Sequence, residues 1–120
     1  MIKPILVGPK GKIESVAKEF SLKLGGIEIV DVPHSQAAAE KAVELVRSGK
    51  ADLLMKGSLH TDELLAEVVK RETGLRTGRR ISHVFVMDVP GHAQTLFITD
   101  AAVNIAPDLE AKRDIIQNVI

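Results

Sequence analysis

The sequence predicts an α/β fold: a three-layer sandwich with a mostly parallel sheet plus an antiparallel hairpin. Two observations carry this. Over Pro4–Met55, short apolar runs alternate with stretches of helical periodicity in the order β-α-β-α-β. Helices of that length make right-handed crossovers between parallel strands, and such a sheet is covered by helices. Later, two apolar runs, Ser82–Val89 and Thr95–Thr99, are joined only by Pro90-Gly91-His92-Ala93-Gln94. A connection that short suits a hairpin and not a crossover.

The elements follow in order. Pro4–Gly8 is the first strand, ending in Gly8-Pro9-Lys10-Gly11-Lys12. Ile13, Val16, Ala17, Phe20 and Leu24 then share a helical face, and Gly25-Gly26 supplies a left-handed stop. Ile27–Val32 is the second strand. Pro33 ends it, and Ser35 is a good N-cap for a helix that buries Ala39, Ala42, Val43 and Val46. Gly49 closes that helix, and Ala51–Met55 reads as a short buried third strand. Leu64, Leu65, Val68 and Val69 mark the next helix, with Asp62 and Glu63 at the positive end of its dipole. After the hairpin, Asp108 caps a last helix lined by Ala111, Ile115 and Val119.

Composition narrows the function classes. A chain of 120 residues, 45% apolar and 27% charged, is a single domain with one core. Its formal net charge is zero, and it has three Phe and no Tyr or Trp. Nothing there favours a nucleic acid or a membrane as partner. With no Cys, disulfides, thiolate metal sites and a cysteine nucleophile are absent, and a cytoplasmic location fits. His34, His60, His83 and His92 are scattered without metal-ligand spacing, so no metal is expected.

Three stretches hold candidate chemistry. The first is the loop after the third strand, with Lys56, Gly57, Ser58, His60 and Thr61. Polar loops at the C-terminal ends of parallel strands are where such sheets handle ligands; the plainer reading is a βα turn whose polar residues cap a helix. Because Asp62 and Glu63 already occupy the helix terminus, a phosphate would be held by Lys56 and the Gly57-Ser58 backbone. The second is the glycine-punctuated Thr73–Arg80. Between Lys70 and Arg80 stand five cations (Lys70, Arg71, Arg76, Arg79 and Arg80) against Glu72 alone. Arginines on a loop can hold phosphate bidentately, or they can be solvated or paired with acids. The third is Asp100 to Asn104, which either lines a ligand cleft or satisfies local backbone groups through Asx turns. The Gly8–Lys12 turn matches no phosphate-loop spacing. The last helix has no stop signal before its apolar end at Ile120, so self-association, or docking on the remainder of a larger chain, is expected.

KGSLHT, LRTGRR followed by SHVFVM, and TDAAVNIAPDLE, in that order, resemble the phosphate acetyl/butyryltransferase (phosphotransacetylase) family. The closest likeness is to the form fused to an enoyl-CoA-hydratase-like domain. The resemblance covers essentially the whole chain, as the middle part of a larger two-domain transferase. It implies a fold like that of the isocitrate and isopropylmalate dehydrogenases, usually dimeric. It also implies transfer of an acyl group between coenzyme A, a substrate and not a permanent cofactor, and inorganic phosphate. Lys56, Gly57, Ser58, His60, Thr61, Arg76, Arg79, Arg80 and Asn104 then become candidates for binding acyl-CoA and phosphate. Asp100 and His60 become candidates for the catalytic base.

The family's best-known catalytic segment, an Asp-Leu-Ser-Arg-Gly-like stretch near its C-terminus, has no counterpart here. An Arg common in the family stands about where this chain has Ala66. The expectation is a binding surface without the proton-transfer group. The alternative is an acyl-CoA-sensing domain without catalysis, like the phosphotransacetylase-like domain of some malic enzymes. A third is a purely structural unit.

Overall fold

A computed structural model describes residues 2–120. Contacts divide the chain into two units, one through Arg76 and one over Thr77–Ile120.

In the first unit, strands β1 (Ile5–Gly8) and β2 (Glu28–Asp31) pair in parallel, with Ile5 opposite Glu28 and Gly8 opposite Asp31. Helix α1 (Lys10–Glu19) joins them, and α2 (Ser35–Arg47) and α3 (Thr61–Val68) follow. Helix α1 packs on β2, while α2 packs on both β1 and α3. The core is made of small and aliphatic side chains: Ala17, Ala38, Ala39, Val43 and Leu45. Ala39 and Val43 lie buried as expected, whereas Ala42 and Val46 are only half-buried.

Helix ends decide several details. α1 stops after Glu19, well before the expected Gly25-Gly26. Ser21 takes the left-handed conformation at φ 53°. The amides of Ser21 and Leu22 donate to the Lys18 and Ala17 carbonyls at 3.2 and 2.8 Å, closing the helix with a Schellman motif. Phe20, just past the helix end, and Val16, inside it, both expected on the buried face, are exposed. α2 ends in the same motif with the expected residue: Gly49 has φ 74°, and Gly49 and Lys50 donate to Val46 and Leu45. At its start the cap is His34, not Ser35. The His34 imidazole Nδ1 accepts from Ala37 N at 3.2 Å, which leaves the Ser35 hydroxyl for another partner.

The expected third strand at Ala51–Met55 does not form. Leu53 and Met55 are 77% and 87% exposed. A strand requires a neighbour for its backbone donors and acceptors. Among the described residues, β1 and β2 pair only with each other. The apolar run pairs with neither open edge of that sheet, and the three-layer arrangement reduces here to a small parallel sheet with helices.

In the second unit, β3 (Val84–Met87) and β4 (Leu96–Thr99) form the expected antiparallel hairpin, with Val84 opposite Thr99 and Met87 opposite Leu96. The strands are shorter than the apolar runs, so the connection is longer than five residues. It contains a type II turn. Pro90 and Gly91 occupy its centre, Gly91 has φ 82°, and His92 N donates to Val89 O at 2.9 Å. Helix α4 (Leu109–Val119) packs against β4 and buries Ala111 and Ile115. Asp108 caps it as expected, accepting from Ala111 N at 2.8 Å. Val86 and Phe97, a cross-strand pair, remain 63% and 59% exposed. Among the described residues, no helix is long and apolar enough to cross a membrane.

Candidate functional site

In the first unit the polar residues gather around the C-terminal ends of β1 and β2. Lys10 N, at the start of α1, donates to Asp31 Oδ1 at 2.8 Å, joining the loop after β1 to the end of β2. From there Val32 and Pro33 lead into α2. Ser35 Oγ, in the first turn of α2, donates to Glu63 Oε1 at 2.7 Å. Glu63 Oε2 accepts from His60 N at 3.1 Å, half of a capping box at the start of α3. The two bonds hold the Glu63 carboxyl below its usual range, the Ser35 hydroxyl acting most strongly and the His60 amide next.

The Lys56–Thr61 loop is largely exposed. The Lys56 ammonium curls over it, donating to the Gly57 and Leu59 carbonyls at 2.9 Å each. An ammonium has three protons, so one remains for a ligand. His60 is the N-cap residue of α3 and Thr61 its first helical residue.

The cationic segment divides by environment. Lys70 pairs with Glu67 at 2.6 Å, and Glu67 is only 6% exposed. That pair raises the Lys70 pKa above 10.5. Arg71, Arg76, Arg79 and Arg80 are exposed, and among the described residues none of them forms an ion pair. Their charge is available to an outside anion. The backbone between Arg71 and Arg76 is anchored. Gly74 N donates to Lys70 O at 3.2 Å, Leu75 N donates to Val68 O at 2.8 Å, and Arg47 Nη1 donates to Gly74 O at 3.2 Å. Arg76 belongs to the first unit, Arg79 and Arg80 to the second.

In the second unit Asp100 is a hydrogen-bond hub. Its Oδ1 accepts from the amides of His83, Ala102 and Val103 at 3.1, 3.3 and 3.2 Å. Its Oδ2 accepts from Asn104 N at 3.0 Å and from the Asn104 side-chain amide. The Asn104 side chain acts most strongly, and with the backbone amides it holds the carboxyl well below the usual carboxylate range. This is the Asx-turn reading made real. Both carboxylate oxygens of Asp100 are thus occupied by donors of its own loop and of His83.

Asn104 also donates to Ile81 O at 3.0 Å. Arg80 is fixed through its backbone: its amide donates to Asp114 Oδ2 at 3.3 Å, and its carbonyl accepts from Asn118 Nδ2 at 2.8 Å. Arg80 and Asn104 thereby line one cleft of about 430 Å³ beside Asp108 and the start of α4.

The structure thus gathers Lys56, Gly57, Ser58, His60 and Thr61 in one loop of the first unit, and Arg80, Asp100 and Asn104 around one loop of the second. Sequence reasoning missed the Ser35–Glu63 bond, which spans 28 residues, and the Asn118 bond to Arg80. Neither carries a signal in local spacing, because each joins residues far apart along the chain.

Comparison with known proteins adds the following. The family model described as phosphate acetyl/butaryl transferase matches residues 34–120. The phosphate acetyltransferase of Rhizobium meliloti is 72% identical over 120 residues, covering 100% of this chain and 38% of that protein. That of Rickettsia felis is 55% identical over 120 residues, covering 100% of this chain and 34% of its own length. The phosphate butyryltransferase of Clostridium beijerinckii is 46% identical over 116 residues, or 97% of this chain and 38% of that protein. The chain spans about a third of the length of the curated relatives it matches.

Proposed function

The chain belongs to the phosphate acetyl/butyryltransferase family, and from that premise we propose that it is part of a phosphate acyltransferase. The reaction exchanges an acyl group between coenzyme A and inorganic phosphate. The coenzyme A thiolate attacks the carbonyl carbon of an acyl phosphate, the carbon–oxygen bond to phosphate breaks, and phosphate leaves with the electron pair. The thiol proton passes to a base. Two anionic substrates must be held side by side while charge builds on the carbonyl oxygen.

The observation that carries this reading is the set of arginines at 71, 76, 79 and 80, exposed and, among the described residues, without carboxylate partners in a chain of zero net charge. Arg76, Arg79 and Arg80 bind phosphate or the phosphates of coenzyme A. Lys56, with one ammonium proton to spare, and the Gly57-Ser58 backbone hold the acyl phosphate with Thr61. Asp100 and Asn104 shape the loop beside Arg80. Of the two candidate bases, the occupied carboxylate of Asp100 leaves His60 the better one. The working protein is a larger two-domain α/β transferase like the isocitrate and isopropylmalate dehydrogenases, cytoplasmic and homo-oligomeric. In it, Ala51–Met55 gains the strand neighbours it lacks here.

The test is calorimetric titration of the chain with coenzyme A and with phosphate, beside a variant in which Arg76, Arg79 and Arg80 are changed to Gln. Charge-assisted contacts at exposed sites are worth about 1 kcal/mol each, so the triple variant should bind at least roughly tenfold more weakly. It should also lose most of the salt dependence of binding. Equal affinity in the two proteins would refute the assignment.

A further inference from the structure

We propose that Ser35 and Glu63 are positioning residues that hold the Lys56–Thr61 loop at the C-terminal edge of the β1–β2 sheet, in register for its anionic substrate. The inference rests on the reading of that loop as a ligand loop. Three observations carry it.

First, Ser35 is released from the task its position suggests. His34 caps α2, so the Ser35 hydroxyl is free to leave its own helix and reach Glu63 at 2.7 Å. Second, Glu63 uses its two oxygens in different directions. Oε2 takes the His60 amide and closes the start of α3, while Oε1 takes the hydroxyl from α2. One carboxylate thus joins the loop's last turn to a helix whose buried Ala38 and Ala39 anchor it in the core.

Third, the loop has little else to hold it. Among the described residues, the hydrogen bonds of residues 56–60 reach no further than the first turn of α3: Lys56 to Gly57 and Leu59, His60 to Glu63, and Leu64 to His60. Beyond the packing of α3 on α2, the hydrogen bond that ties this segment to the rest of the unit is Glu63–Ser35. The bridge also governs charge. A carboxylate at the start of α3 would repel an anion approaching the loop. Pinned by Ser35, it points toward α2, while the Lys56 ammonium lies over the loop itself.

Ser35→Ala separates this role from simple helix capping, because it removes the tertiary bond and leaves the Glu63–His60 cap intact. Amide exchange followed by NMR should run roughly tenfold faster at residues 57–61 in this variant, with Leu64–Val68 unchanged. Titration with inorganic phosphate and with coenzyme A should show about three- to tenfold weaker binding. Ser35→Thr, which keeps the hydroxyl, should restore both. Unchanged exchange in Ser35→Ala would overturn the proposal. So would faster exchange with intact affinity while Lys56→Ala weakens binding, a result that leaves the ligand loop standing but not positioned by Ser35. If Lys56→Ala and Ser58→Ala leave binding untouched, the ligand-loop reading fails and the proposal fails with it.

Discussion

Replacing Gly74 by Ala tests whether the basic segment is anchored as described. Gly74 is buried, and its φ lies outside the left-handed region, so its backbone conformation alone would accept alanine. Space refuses it. A Cβ there would overlap the carbonyl oxygens of Lys70 and Val68 and lie 2.8 Å from Lys70 N. These are backbone atoms and cannot swing aside as a side chain would. Both carbonyls are also engaged, Lys70 O by Gly74 N and Val68 O by Leu75 N, and Gly74 O holds Arg47 Nη1 at 3.2 Å.

Overpacking of this kind costs about 1–3 kcal/mol. Weakening one or two of the three hydrogen bonds adds roughly 0.5–1.5 kcal/mol for each. The sum is a loss of about 1.5–6 kcal/mol in the first unit. Gly78→Ala is the control. Nothing lies within 4 Å of a Cβ there and its φ is not positive, so alanine should be neutral or stabilise by up to about 1 kcal/mol. With no Trp or Tyr to report by fluorescence, urea unfolding followed by far-ultraviolet circular dichroism is the assay. A Gly74→Ala protein within about 0.5 kcal/mol of the parent would refute the packing argument, since that is the range of an inert surface change. Because Arg76 follows two residues later, the same variant should weaken phosphate binding if it folds.

Two further predictions concern local anchors. Asp108→Ala removes the acceptor for Ala111 N and should cost about 1 kcal/mol of second-unit stability, read by the same urea assay, with Asp108→Ser recovering most of it. Asp100 predicts an acid-dependent loss. Its folded pKa lies below its ordinary value of 3.8, so its stabilisation is whole well above pH 3.8 and fades as pH falls through the lower folded value. Acid titration monitored at the His83 and Asn104 amides should show this, and Asp100→Asn should remove that component of the acid slope. An identical acid profile in the variant would count against the hub.

Short-range chemistry was the readable part of this sequence. The Asp108 cap, the Gly49 stop, the Pro90-Gly91 turn and the Asp100–Asn104 turn each involve groups within about five residues, so residue type and spacing suffice to specify them. The order of the first two strands and helices followed from periodicity, because burying one face of an amphipathic segment is decided along that segment. Family membership was legible in KGSLHT, the arginine-rich stretch and TDAAVNIAPDLE for the same reason.

What lay beyond the sequence depends on partners far along the chain. Ala51–Met55 is apolar enough for a strand, yet a strand exists only where it docks on another's backbone, and this run docks on neither edge of the β1–β2 pair. Gly25-Gly26 is the better stop by composition, but the turn at Ser21 ends α1 first. Ser35 had the chemistry of a cap and became a bridge, because His34 capped α2 and folding brought Glu63 within 2.7 Å. Glu67, charged and expected in water, is buried because Lys70 pairs with it and α2 packs against its helix. Local spacing selects among turns and caps; only the packed chain decides which donor finds which acceptor across tens of residues.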